Sequence, residues 1–180
     1  MDYSSSPFHR FYGWKIWALL AVLIAYTAWF IGPGPFGQLA DLAPGMPLQE
    51  KGFYTGAEAV SVLSGLDEAG RRTKLLALLF DLPYMILNML ACEALIAFGI
   101  RHMKIGGKWN LLFALPIAFL FFDFFEDSFI ALTLVSGNMV LGAIAGVFTF
   151  VKFIAFIGAG LAALVMGILG LVAWFKRPKV

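Results

Sequence analysis

Phe119-Leu120-Phe121-Phe122-Asp123-Phe124-Phe125-Glu126-Asp127-Ser128-Phe129 sets three carboxylates in the middle of an apolar segment long enough to span a bilayer. A charge at that depth costs roughly 2.5 to 3.5 kcal/mol on insertion scales, so three of them require compensation. Asp123, Glu126 and Asp127 stand at i, i+3 and i+4 and share one helical face, which leaves the flanking phenylalanines to cover the lipid side. The rest of the chain reads as the bundle that shelters this face.

Composition points the same way. With 61% hydrophobic and 13% charged residues over 180 positions, the chain is too apolar for a soluble globule of its size. The expected fold is an all-α integral membrane four-helix bundle, one domain over 1–180, with a short external amphipathic helix between spans one and two. The single Cys92 excludes an internal disulfide, a thiol pair or a Cys-based zinc site. No phosphate-cradling loop, Ser-His-Asp arrangement or nucleic-acid surface is present, and no cofactor is implied. The polar stretch 1–10 precedes an apolar run too long for a signal-peptide core, so that run reads as a retained first span.

In chain order, spans are expected at about 13–32, 73–100, 109–135 and 140–175, with 33–72 external. Trp14, Trp17 and Trp29 anchor the first span, and Gly32-Pro33-Gly34-Pro35 ends it. The external segment starts as loop through Asp41, Pro44, Gly45 and Pro47. It turns helical at Thr55, which forms a capping box with Glu58, and Ala57, Val60 and Leu63 supply an apolar face for the membrane surface or a lid. Arg71, Arg72 and Lys74 mark the next border. Span two carries Asp81, Tyr84 and Asn88 on one stripe beside Pro83, which interrupts the helical ladder. Glu93 is expected to snorkel toward the inner border near Arg101, Cys92 to pack, and His9 and His102 to sit at interfaces. Span four carries Lys152, read as the only basic residue inside a span. Gly142 and Gly146, continued by Gly160 and Gly167, form a small-residue surface for a membrane-protein partner.

Counting Lys and Arg by side puts Arg10, Lys15, Arg101, Lys104, Lys108, Lys176, Arg177 and Lys179 together, which makes both termini cytoplasmic, in a bacterial inner membrane. With that topology Asp81, Asp123, Glu126, Asp127 and Lys152 fall in the same outer half of three spans. They outline, with Tyr84 and Asn88, a polar pocket open to the outside. Asp123, Glu126 and Asp81 are the candidate acid–base groups; Tyr84, Asn88, Asp127 and Lys152 are candidate ligand contacts. A metal is not expected, because Lys152 competes and no His joins the cluster. Buried pairs that merely hold helix register are the structural alternative.

Tyr54-Thr55, Glu58-Ala59, Gly70-Arg71, Asp81-Leu82-Pro83-Tyr84 and Asp123 with Glu126 resemble a broad set of bacterial four-span membrane proteins. The resemblance implies the four-span fold and an inward role for Asp81, Asp123 and Glu126, and it implies no activity. Two positions depart from it: Asp127 stands where Asn is usual, and Lys74 where an aromatic is usual. The extra acid is expected to pair with Lys152. The layout, four spans with inward acids, is also similar to that of sterol-isomerase-like membrane proteins. Three functions stay open: a pocket for a membrane lipid, isoprenoid or small hydrophobic ligand with acid–base chemistry, an accessory subunit docking through the span-four glycines, and a proton-coupled transporter acting as an oligomer.

Overall fold

A computed structural model describes residues 13–42 and 48–176. Arg10, His9, Pro44, Gly45, Pro47, Arg177 and Lys179, which entered the topology above, lie outside the described residues. Among those described, the chain is helical throughout with no strand: α1 (Trp14–Ile31), α2 (Pro35–Leu42), α3 (Gly56–Ser64), α4 (Glu68–Met103), α5 (Ala114–Ser136) and α6 (Met139–Phe175), with 3-10 turns at Leu48–Lys51 and Gly107–Phe113. Three stretches are long and apolar enough to cross a membrane: Trp14–Leu42, Glu68–Met103 and Met139–Phe175. At 23 residues α5 is long enough, but its three carboxylates keep it out of that class. Its 3-10 entry also moves the expected start from Trp109 to Ala114, so Pro116 sits in the first turn, where a missing amide proton leaves no bond unmade.

Side chains are distributed inside out. On α5 the buried positions include Asp123, Glu126, Asp127 and Thr133, whereas Ile117, Phe121, Phe124, Leu132 and Val135 are exposed. On α6 the buried face is Gly142, Ala145, Gly146, Thr149, Lys152, Ala155, Ala159 and Ala163, and Val147, Phe150, Ile154, Ile157, Leu161 and Leu164 face outward. Small and polar groups inside allow the helices to approach closely, and the large apolar groups form the outer surface.

The turn at Gly137, whose positive φ closes α5 as its amide donates a hydrogen bond to the Thr133 carbonyl, sends α6 back along α5. Phe129 then meets Phe148, Glu126 meets Thr149, Asp123 meets Lys152 and Phe119 meets Phe156, an antiparallel hairpin in step along its length. Phe122 and Phe125 also pack on Phe148, so only part of the phenylalanine run is left for the outer surface. α4 runs parallel to α6, with Leu78 and Ala145 in one apolar cluster and Ile96, Ile100, Ala163 and Met166 in a second.

The segment between α1 and α4 departs from expectation in two ways. The stretch through Asp41 is not loop: α2 forms from Pro35, whose fixed φ suits a first helical position. α3 does begin at the capping box, with the Glu58 carboxylate accepting from the Thr55 amide at 2.8 Å and the Thr55 hydroxyl accepting from the Glu58 amide at 3.3 Å. Its buried face, however, is Gly56, Ala59 and Leu63 rather than Ala57, Val60 and Leu63, because it is the glycine edge that seats against α6. There a side chain at Gly146 would strike the Tyr54 carbonyl, and one at Gly142 would crowd Ala59 and Gly56. α3 therefore lies as a lid over the ends of α5 and α6 that the Gly137 turn joins.

This uses up most of the expected partner surface. Gly142, Gly146 and Gly167 are buried against the chain's own Ala59, Tyr54 and Leu95, and of the four glycines only Gly160 is open. At the cap, Thr55→Ala should lower stability by about 1 kcal/mol, read as an earlier thermal transition in detergent with α3 losing amide protection first. The two bonds from Thr55 also hold the Glu58 carboxyl below its ordinary pKa. Its contribution is therefore full above the ordinary carboxylate range and is lost as pH falls through the lowered value, so amide exchange in the first turn of α3 should quicken on acidification.

Candidate functional site

Asp81 on α4, Asp123 on α5 and Lys152 on α6 stand at the same remove from Glu68, Ser136 and Met139, about 20 Å at 1.5 Å per residue. Three helices thus deliver ionisable groups to one level. Lys152 Nζ lies 2.6 Å from Asp123 Oδ1 and also forms an ion pair with Glu126. The Thr149 hydroxyl donates to Glu126 Oε1 at 2.6 Å, one turn before Lys152 on the same face of α6. Glu126 is 0% exposed, so both partners act on a fully dehydrated carboxylate.

The pairing differs from the one expected. Lys152 takes Asp123 and Glu126, not the extra acid Asp127. Lys152 is also not the only interior cation. Lys74, read from the sequence as a border residue, is 3% exposed and stands in the field of Asp127 first, then Glu126 and Asp81. A signal for this was available: Lys74 lies two turns before Asp81 on the same helical face.

A cavity of about 260 Å³ opens beside this layer, with Asp81, Tyr84, Asp123 and Lys152 in its wall. Phe30, Phe36, Phe119, Phe153 and Phe156 make up most of the remainder. Glu126 and Asp127 are not lining residues; they stand behind the wall, Glu126 holding Lys152. Asn88 does not join them, because its amide donates to the Tyr84 carbonyl of its own helix at 2.9 Å. Oxygens of Asp81, Asp123 and Asp127 lie within 4.8 Å of one another, a spacing that could hold a cation.

The break between α1 and α2 belongs to this site. Phe30 packs on Tyr84 with ring centroids 5.6 Å apart, and Tyr84 stands about 24 Å along α4 from Glu68. The sequence put Gly32-Pro33-Gly34 at the outer border as the end of a span. It interrupts a longer apolar stretch, Trp14–Leu42, at the level of the cavity. Glycine at 34 and 37 lets the chain fold back so tightly that a side chain at either would meet the carbonyls of Trp29 and Gly32. Close by, the Tyr26 hydroxyl donates to the Phe80 carbonyl at 2.7 Å, tying α1 to α4 one turn before Pro83, through which α4 runs as one helix.

Tyr54, outside the expected spans, closes the site from above. It is 1% exposed, with its hydroxyl buried near Thr149 and Glu126; burial, and then the Glu126 carboxylate, push its phenol above the ordinary value. Tyr54 and Thr149 were not found by sequence reasoning, since neither carries a formal charge and their depth depends on how α3 seats. Two further expectations change. Glu93 does not reach an interface: it is 0% exposed, and neither carboxyl oxygen has a hydrogen-bond partner among the described residues. His102 is buried against Phe98, with centroids 4.4 Å apart, rather than interfacial. Cys92 packs against the second apolar cluster, as expected.

The described layer therefore gathers four carboxyls, Asp81, Asp123, Glu126 and Asp127, around two ammonium groups, Lys74 and Lys152. Such a site can attract a cation, or hold and pass protons between Asp81 and Asp123 at the cavity wall. Comparison with known protein families, curated proteins and solved structures returns no match for this chain.

Proposed function

We propose that this chain is an integral membrane protein of four crossings that binds a small hydrophobic ligand in the cavity beside Asp81, Asp123 and Lys152. The inside-out distribution of side chains supports the membrane setting, since an outer surface of Val, Ile, Leu and Phe is stable against lipid and not against water. The crossing by α5 follows from its neighbours. α4 and α6 run in the same direction, so if both cross, the chain between them must return, and α5 is the helix that does so. Lys15, Arg101, Lys104 and Lys176 lie where the start of α1 meets the ends of α4 and α6, which supports reading that end as cytoplasmic, in a bacterial inner membrane.

The cavity carries the reading. About 260 Å³ is slightly below the 300–1,000 Å³ typical of pockets for drug-sized ligands, so a compact molecule or the end of a larger lipid or isoprenoid fits, and a whole lipid does not. Asp81 and Asp123 face the ligand and are the groups placed for acid–base work. Glu126 acts through Lys152 and is a positioning residue. The accessory-subunit alternative is weaker, because three of the four glycines it would use are already packed within the chain.

The test is mass spectrometry of the protein purified in native-membrane nanodiscs. Wild type is expected to retain a defined small molecule that Asp123→Asn, still folded, loses. Bulk lipid alone in both samples would overturn the reading.

A further inference from the structure

We infer that the cavity selects an organic ammonium: a compact amine or quaternary ammonium carrying one positive charge on an apolar body. The inference rests on the ligand-binding reading above and names the chemistry of the ligand. Six of the ten lining residues are aromatic: Phe30, Phe36, Tyr84, Phe119, Phe153 and Phe156. Aromatic rings attract a weakly hydrated cation through their π faces, and more so where water is excluded. The charge of the wall has the same preference. Lys152 is matched twice, by Asp123 and by Glu126, so its positive charge is consumed within the protein, while Asp81 adds a further carboxyl to the wall. The last residues of α1, Phe30 and Ile31, also border the cavity, and the carboxyl end of a helix is the negative end of its dipole.

Other ligand classes leave part of this wall unexplained. A bare divalent ion would use the carboxylates and ignore the rings. A neutral hydrocarbon would use the rings and leave buried carboxylates facing apolar surface. An anion would meet more negative than positive groups. An organic ammonium satisfies rings, carboxylates and helix end together, and its size suits the volume.

The experiment uses the full chain in phospholipid nanodiscs and three probes of nearly the same shape: benzyltrimethylammonium, its neutral isostere neopentylbenzene, and benzylsulfonate. Binding is measured by equilibrium dialysis, corrected for partition into empty nanodiscs. The cation is expected to bind roughly tenfold or more tighter than the isostere, and Asp81→Asn to lose most of that preference. Should Asp81→Asn not fold, Phe153→Leu, which leaves every charge in place, is expected to weaken the cation severalfold more than the isostere. Equal binding of cation and isostere would overturn the inference and leave the ligand-binding reading standing, as would preference for the sulfonate or displacement of the cation by calcium or manganese. Binding of none of the three probes, with only bulk lipid copurifying, would overturn both.

Discussion

Lys152→Met should destabilise the chain by about 3–5 kcal/mol, the range seen when one partner of a buried ion pair is removed and the other is left behind. Here the loss is compounded, because Lys152 serves two carboxylates at once, one of them fully buried. The expected readout is a large fall in thermal transition temperature and in the fraction of protein recovered as a single folded species in mild detergent. The informative companion is the triple variant Lys152→Met, Asp123→Asn, Glu126→Gln. It removes all three charges while keeping shape, and Gln can still accept from Thr149. Most of the lost stability should return, since the cost lies in uncompensated charge rather than in the absence of an ion pair. If the single variant is as stable as wild type, Lys152 is not the counter-ion of this layer.

Gly146→Leu should be comparably damaging for a different reason. Added side-chain atoms at 146 meet the backbone carbonyl of Tyr54, which cannot move aside by changing rotamer, so overpacking is expected to reach at least about 3 kcal/mol. The lid should detach, and Tyr54, buried in wild type, should become accessible to a water-soluble quencher of its fluorescence or to iodination. Gly160→Leu is the matched control on the same helix: it has open space around it and should change stability by less than about 0.5 kcal/mol. Equal tolerance at both positions would mean that α3 does not rest on α6.

Much of the architecture was legible from local signals. Thr55 with Glu58 marks a helix boundary through groups that act within four residues, and that capping box recurs in the structure. Asp123, Glu126 and Lys152 were legible as inward because their charge leaves them no alternative in apolar surroundings. Asn88 was misplaced because a stripe at helical spacing says which face a residue is on and not whether its side chain turns back to its own backbone. The Gly32-Pro33-Gly34 break was recognised, but its depth was not, since only the contact of Phe30 with Tyr84 sets it at the level of the cavity.

By itself, then, the sequence determined the all-helical class, the apolar stretches, the points where the chain turns, and the fact that an acidic face had to be sheltered. These depend on propensity, periodicity and the cost of charge in an apolar medium, which are properties of a segment. Only the tertiary structure decided that Lys152 meets Asp123 and Glu126, that Lys74 comes inside toward Asp127, and that Gly146 seats Tyr54. Pairing across helices depends on how each helix is rotated and how deeply it is set against its neighbours. That is determined by the packing of all of them together, so no single segment carries it.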